Sequence, residues 1–324
     1  MRRPILLITA AFIGLLSVSA NAQDVIRGEW SGQFENNKFR LSLRATSSAA
    51  DWNFSSFDFQ VENVKGLSIP PASSAVTPVR FEITREAGTL VFDGMIKNGH
   101  GLGDYQFTPN QDYIGALKAM GYDNLSSEQL LRLAIRDVTR AFVKEMRAAG
   151  YDGATIDQLI RMKNHNITSG FIKEMKALGF DGLSVDHLVR LHNHEINADF
   201  IREIRAAGYE GLSVDQLVRL RNHEIDAAFV RSFQDVGYKS LPVDQLVRLR
   251  NHSVTPAFVA ELRAMGYENI PAETLIRLRN YDISPTFIKQ LNDAGHKDLS
   301  AEDLIYIRNH GLEAFTTRRL RRAR

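Results

Sequence analysis

A 29-residue period is the feature of this sequence that most restricts its fold. An aromatic residue recurs at each step, and a glycine follows each aromatic residue by eight positions. The aromatic positions are Tyr113, Phe142, Phe171, Phe200, Phe229, Phe258 and Phe287. The glycines are Gly121, Gly150, Gly179, Gly208, Gly237, Gly266 and Gly295. Such a period is typical of stacked arrays, so residues 111–316 are predicted to form seven units, the last truncated after Phe315.

Each unit has the pattern of two short α-helices. Thr255 followed by Pro256 is typical of a helix start, and Gly266 suits a left-handed residue that closes the same helix. The second helix of a unit opens with a capping box, as from Ser213 to Gln216. Helices of about ten residues are unstable alone in water, so each unit must bury its apolar face against its neighbours.

Residues 23–110 have the alternation of β-strands instead. Phe39, Leu41 and Leu43 alternate with polar residues, and turn signals divide the segment into about six short strands. The short connections predict an antiparallel β-meander, either a small barrel or a sandwich. Trp30, in the stretch GEWSGQ, is predicted to be a core residue rather than a ligand contact. The predicted fold class is α+β multidomain, with this small β-domain followed by an α-solenoid of seven 29-residue two-helix repeats.

Residues 1–22 have the pattern of a cleavable signal peptide. Arg2 and Arg3 precede an apolar stretch, and Ala20-Asn21-Ala22 provides a cleavage site before Gln23. We therefore expect an exported protein, either periplasmic or secreted. No later stretch reaches about 20 uninterrupted apolar residues, so no stable membrane insertion is predicted after cleavage.

Composition narrows the chemistry further. The chain has no cysteine, which excludes disulfides and thiol nucleophiles. Its net charge of +2 is too small to indicate nucleic acid as a partner of the whole molecule. Residues 317–324 are predicted to be a basic C-terminal tail. That tail contains Arg318, Arg319, Arg321, Arg322 and Arg324.

A histidine recurs near the end of the second helices. The series is His165, His194, His223, His252 and His310, with Asp137 and Tyr281 at the equivalent positions of other units. Neighbouring helices pack about 8–10 Å apart, whereas ligands of one zinc ion lie about 2.1 Å from it, so these histidines are predicted not to share a metal. The asparagine before the histidine is predicted to be a left-handed residue that closes the helix.

Two further histidine patterns resemble metal sites only in part. HEINA and HEIDA begin like the zinc-peptidase signature H-E-x-x-H, but their fifth residue is Ala198 or Ala227. His187, His192 and His194 have spacings that do not place them on one helical face. No metal, cofactor or catalytic residue is therefore predicted, and we expect the protein not to be an enzyme.

The second helices also contain a stripe of arginines. It comprises Arg132, Arg161, Arg190, Arg219, Arg248 and Arg277, accompanied by Arg221, Arg250, Arg279 and Arg308. An acidic residue lies four positions before each arginine of the first set, as Asp215 does before Arg219, which predicts ion pairs within each helix. The alternative is a groove for a protein or peptide partner, possibly acidic. The candidate partner-binding residues are Arg190, Arg219, Arg221, Arg248 and Arg250, with Tyr209, Tyr238 and Tyr267 as the next surface.

The two parts together resemble a known architecture. The β-segment from GEWSGQF to GLGDYQFTPN, followed by MGYDNLSSEQLLRL and its copies, is similar to the extracytoplasmic C-terminal region of antirepressor-type membrane metallopeptidases of the beta-lactam-sensor family. In that family a membrane peptidase domain comes first, whereas a signal peptide is predicted at this position of the present chain. The resemblance therefore implies a freestanding sensor or adaptor module and transfers neither zinc ligands nor proteolytic activity.

These patterns favour a non-enzymatic exported protein-interaction module that presents a helical-repeat surface to a protein or peptide partner. The alternative is a carrier that binds a small apolar or glycan ligand in the β-domain, and a third hypothesis is an unrecognised hydrolase. A large apolar cavity in the β-domain would favour the carrier, and a filled interior would favour the interaction module. The partner, the signal sensed and the oligomeric state do not follow from the sequence.

Overall fold

The computed structural model describes residues 25–35, 38–45, 53–60, 64–67 and 75–322. The predicted signal peptide lies outside these residues. The chain forms two compact units, one of Met1–Glu145 with Ala154–Ile160 and the other of Met146–Gly153 with Arg161–Arg324. The first unit contains the sheet and the first helices, and the second contains most of the repeats.

Six antiparallel strands form one sheet in the first unit. The strands are β1 (Ile26–Glu35), β2 (Lys38–Ala45), β3 (Asn53–Gln60), β4 (Thr77–Arg85), β5 (Gly88–Lys97) and β6 (His100–Pro109). Their order in the sheet is β3-β2-β1-β6-β5-β4. Strands that are consecutive in the chain therefore pair with each other, except β3 and β4, and β1 also pairs with β6. The predicted antiparallel meander is confirmed.

The sheet is strongly curved. Trp30 on β1 and Phe81 on β4 are three strand positions apart, yet their ring centroids are 5.2 Å apart. Adjacent strands are about 4.8 Å apart, so a flat sheet would separate the two residues by roughly 14 Å. The rings of Phe39 and Phe92 also pack edge-on against Trp30. A single sheet thus curls around its own aromatic core, which is the barrel-like form of the two predicted possibilities.

Three glycines make room for the Trp30 side chain. A Cβ atom added to Gly94 or Gly101 would lie 2.7 Å from a carbon of the indole ring, and one added to Gly103 would lie 2.8 Å from Nε1. The indole Nε1 donates a hydrogen bond to the carbonyl oxygen of Asp93 at 3.1 Å, and the side chain is 2% exposed. The prediction that Trp30 is a core residue is confirmed.

The close contact between Gly101 and Trp30 predicts a large effect of one methyl group. Gly101→Ala is expected to lower the free energy of unfolding by about 1–3 kcal/mol, because the indole ring must shift. Gly115→Ala is the matched control, since Gly115 lies in a helix and an added Cβ meets nothing within 4 Å. The control is expected to be stabilising by about 0.5–1 kcal/mol. Denaturant unfolding of both variants tests this, and equal midpoints would contradict it.

Fifteen α-helices follow the sheet in the described chain. They are α1 (Gln111–Ala119), α2 (Ser127–Ile135), α3 (Arg140–Met146), α4 (Ile156–Asn164), α5 (Ser169–Ala177), α6 (Val185–Asn193), α7 (Ala198–Ala206), α8 (Val214–Asn222), α9 (Ala227–Asp235), α10 (Val243–Asn251), α11 (Pro256–Ala264), α12 (Ala272–Asn280), α13 (Pro285–Asp293), α14 (Ala301–His310) and α15 (Leu312–Arg322). A π-helical turn, Arg147–Tyr151, continues α3. The odd-numbered helices from α1 to α13 are the first helices of the repeats, and the even-numbered helices from α2 to α14 are the second helices. The predicted seven two-helix repeats are confirmed. The seventh repeat is not truncated as predicted, because α13 and α14 complete it and Phe315 lies in the following α15.

The predicted helix ends are also largely confirmed. The Thr255 hydroxyl accepts a hydrogen bond from the backbone N–H of Phe258 at the start of α11, and Ser213 and Gln216 form the predicted capping box of α8. Gly208 and Gly266, which follow first helices, have φ values of 92° and 90°. Only a residue without a Cβ adopts this conformation at little cost, so glycine marks the end of the first helices.

The prediction for the end of the second helices was wrong by two positions. Asn222 is still helical in α8, His223 is the residue that caps it, and the left-handed residue is Glu224 with φ of 53°. The N–H of Glu224 donates to the carbonyl of Arg221 and that of Ile225 to the carbonyl of Leu220. This is a Schellman motif, and burial of Ile225 holds a glutamate in a conformation that usually favours glycine. In the same way Asp137 is the left-handed residue of its repeat, and Arg136 is the residue equivalent to the histidines.

Glu86 joins the sheet of the first unit to α3. It lies in the turn between β4 and β5, and its carboxylate accepts hydrogen bonds of 2.9 Å from both the backbone N–H and the Nε of Arg140. The backbone hydrogen bond from Arg140 is the largest cause that lowers the pKa of Glu86, and partial burial opposes it. The carboxylate thus caps the N-terminus of α3, where negative charge is favourable.

The lowered pKa predicts a pH-dependent contribution of Glu86 to stability. The contribution is present above the unfolded-state pKa of about 4.3 and is lost as the pH falls through the lower folded-state pKa. Glu86→Gln is expected to reduce the free energy of unfolding at neutral pH by about 1 kcal/mol or less, since the side chain is 35% exposed. The difference should shrink in acid. Unfolding at several pH values measures it, with Glu145→Gln, on exposed α3 surface, as the control for net charge.

Candidate interaction surface of the helical repeats

The arginine stripe forms ion pairs between repeats. The pairs are Arg132–Asp157, Arg161–Asp186, Arg190–Asp215, Arg219–Asp244, Arg248–Glu273 and Arg277–Glu302. Partners are 25 residues apart, which is one repeat less one helical turn, so each arginine contacts the first turn of the second helix in the next repeat. The predicted pairing within each helix was wrong, because Asp215 pairs with Arg190 of the preceding repeat, and Arg219 pairs with Asp244 of the next repeat.

A second row of arginines lies over the aromatic residues of the period. The guanidinium groups of Arg221 and Arg250 lie 5.3 Å from the ring centroids of Phe200 and Phe229, and they pair with Glu195 and Glu224 at 3.3 and 2.7 Å. Arg279 and Arg308 lie over Phe258 and Phe287 in the same way.

The structure therefore brings the five candidate residues, Arg190, Arg219, Arg221, Arg248 and Arg250, onto the second helices, each already in an ion pair. An acidic partner would have to compete with these pairs, which are individually weak because they are exposed.

The recurrent histidines make contacts between repeats. Nδ1 of His165 lies 3.0 Å from Oδ1 of Asn193, and Nδ1 of His252 lies 2.7 Å from Oδ1 of Asn280. His192 takes the position that arginine has in later repeats and packs edge-on against Phe171 at 5.5 Å. In the part of the chain that the structure describes, no three His, Cys, Asp or Glu side chains form a group able to hold a metal ion.

The tyrosines after the helix-ending glycines are inter-repeat contacts rather than a free surface. The hydroxyls of Tyr209, Tyr238 and Tyr267 donate to the carbonyls of Leu241, Ile270 and Leu299 in the next repeat. Burial raises the pKa of all three hydroxyls. The hypothesis of a partner surface is therefore not favoured for Tyr209 and Tyr238, whereas Tyr267 also lines the cleft described below.

Removal of one such hydroxyl is expected to weaken the array. Tyr238→Phe leaves the half-buried carbonyl of Ile270 without its donor and should lower the free energy of unfolding by about 1 kcal/mol. Tyr281→Phe is the matched control, because Tyr281 is 39% exposed on the second-helix side. The control is expected to change stability by less than about 0.5 kcal/mol. Chemical unfolding followed by circular dichroism measures both, and equal effects would refute the role of the hydroxyl.

A third set of contacts was not predicted from the sequence. Side chains of first helices donate to the backbone carbonyl at the end of the preceding first helix, from Lys176 to Ala149, Arg205 to Leu178 and Gln234 to Ala207. The signal was present, because positions 176, 205 and 234 keep the 29-residue period and all have long side chains with N–H donors. These bonds cap carbonyls that a helix end otherwise leaves unsatisfied.

An open cleft of about 760 Å³ lies between the sixth and seventh repeats. The α11–α12 and α13–α14 connections form it, and its lining includes Tyr267, Glu268, Thr274, Lys297 and Asp298. Glu268 and Asp298 are exposed, and neither forms an ion pair within the described residues. The only signal for this site in the sequence is Asp298, where the earlier repeats have glycine, asparagine or serine.

Comparison with protein-family models, curated proteins and solved structures finds no match to this chain. The resemblance to the beta-lactam-sensor family therefore stays a prediction. Among the described residues, none of the helices combines the length and the apolar character that crossing a bilayer requires.

Proposed function

We propose that this chain is a non-enzymatic, exported interaction module whose helical repeats present a docking surface to a protein or peptide partner. The observation that supports this function is the cleft between the sixth and seventh repeats. The repeated arginines, tyrosines and first-helix donors described above hold one repeat to the next. The cleft instead combines open volume with two carboxylates, Glu268 and Asp298, that form no ion pair within the described residues. It is therefore the surface that the geometry favours for a partner.

The size and lining of the cleft fit a short polypeptide segment. A volume of 760 Å³ lies within the range of about 300–1,000 Å³ that is typical of ligand sites. Tyr267 and Ile270 supply apolar surface, and Thr274 and Asn292 supply hydrogen-bonding groups. Pro271 provides no side-chain cap for α12, so the backbone N–H groups of its first turn lack that acceptor.

The charge of the cleft indicates the chemistry of the partner. Glu268 and Asp298 outnumber Lys297, while Glu302 is held by Arg277. A segment with a basic side chain would pair with the unbound carboxylates. This differs from the acidic partner expected for the arginine stripe, because those arginines are already paired with acids of neighbouring repeats.

The carrier hypothesis receives less support. The described interior of the curved sheet is filled by aromatic rings, with Phe81 stacked on Phe92 at 4.6 Å and Phe39 packed edge-on against Phe81 at 5.4 Å. A filled interior was the feature expected to favour the interaction module.

Site-specific photocross-linking tests the proposed surface. A photoreactive residue at position 274 is expected to give a discrete adduct with one partner protein in cells that export the chain. The same residue at 245, the equivalent position one repeat earlier, is the matched control and should give none, because Gln245 is exposed outside the cleft. Equal adducts at the two positions would contradict the proposal.

A charge reversal distinguishes specific docking from incidental proximity. Glu268→Lys should reduce the yield of the adduct at position 274 by roughly tenfold, since an attractive contact becomes repulsive. Glu210→Lys makes the same change at the equivalent position two repeats earlier and should leave the yield unchanged. If Glu268→Lys leaves the adduct yield unchanged, the acidic residues of the cleft do not contribute to partner binding.

A further inference from the structure

The last described helix, α15, presents arginines that differ from those of the arginine stripe on the second helices. Its inner side is fixed to α14, because Phe315 is buried and the Arg318 guanidinium lies 4.4 Å from the ring centroid of Tyr306. Arg319, Leu320 and Arg321 are exposed. In contrast to the paired arginines of the second helices, neither Arg319 nor Arg321 forms an ion pair in the described part of the chain.

This segment concentrates the positive charge of the molecule. Residues 312–324 contain five arginines and one acidic residue, Glu313, which is a net charge of +4. The whole chain has a net charge of only +2, so the remaining residues are net acidic by two charges. An anionic surface is therefore attracted to α15 and repelled on average by the rest of the chain.

The exposed side of α15 also has an apolar centre. Leu320 is 65% exposed, and among the large hydrophobic residues of the described chain only Leu102 is more exposed. Adjacent helical residues are about 100° apart around the axis, so Arg319 and Arg321 flank Leu320 on opposite sides. Phe315 lies roughly 140° away from Leu320 by the same spacing, which agrees with its burial against α14.

We infer that α15 is a docking helix for the surface of an anionic phospholipid bilayer. Leu320 enters the boundary between headgroups and acyl chains, and the flanking arginines extend their charged ends to the phosphates. A soluble polyanion would satisfy the arginines but would leave the exposed Leu320 without an apolar contact. This contact is peripheral, and it places the array at a membrane surface without a spanning helix among the described residues.

Vesicle binding by the chain from Gln23 onward tests the inference. All variants begin at the same residue, so residues 1–22 do not influence the comparison between them. The chain is expected to co-sediment with vesicles of phosphatidylcholine mixed with phosphatidylglycerol, and not with phosphatidylcholine alone. Arg319→Gln with Arg321→Gln should weaken this binding by roughly tenfold or more, because each basic residue near an anionic surface contributes about fivefold. High salt should weaken it as well.

A matched variant shows whether the position of the charge matters. Arg190→Gln with Arg219→Gln removes the same charge from ion-paired sites and should change vesicle affinity by less than about threefold. If both double variants lose affinity equally, net charge alone explains binding and the inference is wrong. Circular dichroism of each variant verifies that the helices are intact.

Leu320→Asn separates a lipid surface from other polyanions. It should weaken binding to the mixed vesicles by at least about threefold and leave binding to heparin, a soluble polyanion, unchanged. If it has no effect on vesicles, or if heparin is bound more tightly than the vesicles and competes them away, the site recognises a soluble polyanion and the bilayer is excluded as its partner.

Discussion

The stacking of one repeat on the next is the interaction on which the helical part of this protein depends. Nearly all of its repeat helices have only seven to ten residues, which is too short for stability in water. Each helix becomes stable because residues such as Leu220, Leu249 and Leu278 are completely buried against neighbouring repeats. At a typical 25 cal/mol per Å² of apolar surface, this burial outweighs the exposed ion pairs, which contribute only about 0–1 kcal/mol each.

The polar contacts between repeats have a different role, because they fix the offset of one repeat on the next. An arginine reaches an acid 25 residues later, a tyrosine hydroxyl reaches a carbonyl 32 residues later, and a first-helix side chain reaches a carbonyl 27 residues earlier. These three kinds of contact, with their different sequence separations, form together only in one arrangement of neighbouring helices. The regularly repeated polar groups are thus largely structural. We connect function instead with charged groups that form no ion pair between the described repeats, which are Glu268 and Asp298 at the cleft and Arg319 and Arg321 on α15.

The sheet meets the same requirement for burial by curvature. The described strands form no second sheet for it to pack against, so β1, β2 and β4 bring their aromatic residues together across its concave side. Glycines at 94, 101 and 103 allow the backbone to approach the indole of Trp30. The glycines around Trp30 therefore allow the sheet to bury its apolar core, as stacking of leucines does in the repeats.

The sequence by itself determined the features that depend on contacts close along the chain. Thr255 and Ser213 cap helices through hydrogen bonds to residues three positions later, and Gly266 ends a helix through its own backbone conformation. The alternation around Phe39 and the period of the aromatic residues likewise predicted the strands and the seven repeats. Such signals need no knowledge of the distance between helices.

Only the tertiary structure decided which of two plausible partners a side chain contacts. Asp215 and Asp244 are both within reach of an arginine at position 219 by sequence spacing, one in the same helix and one in the next, and the packing of α8 against α10 selects Asp244. The left-handed Glu224 is held by a buried Ile225 rather than by its own preference, so local propensity pointed to the wrong residue. The curvature of the sheet and the cleft at Thr274 arise from contacts between residues far apart in sequence, and a pattern along the chain does not contain those distances.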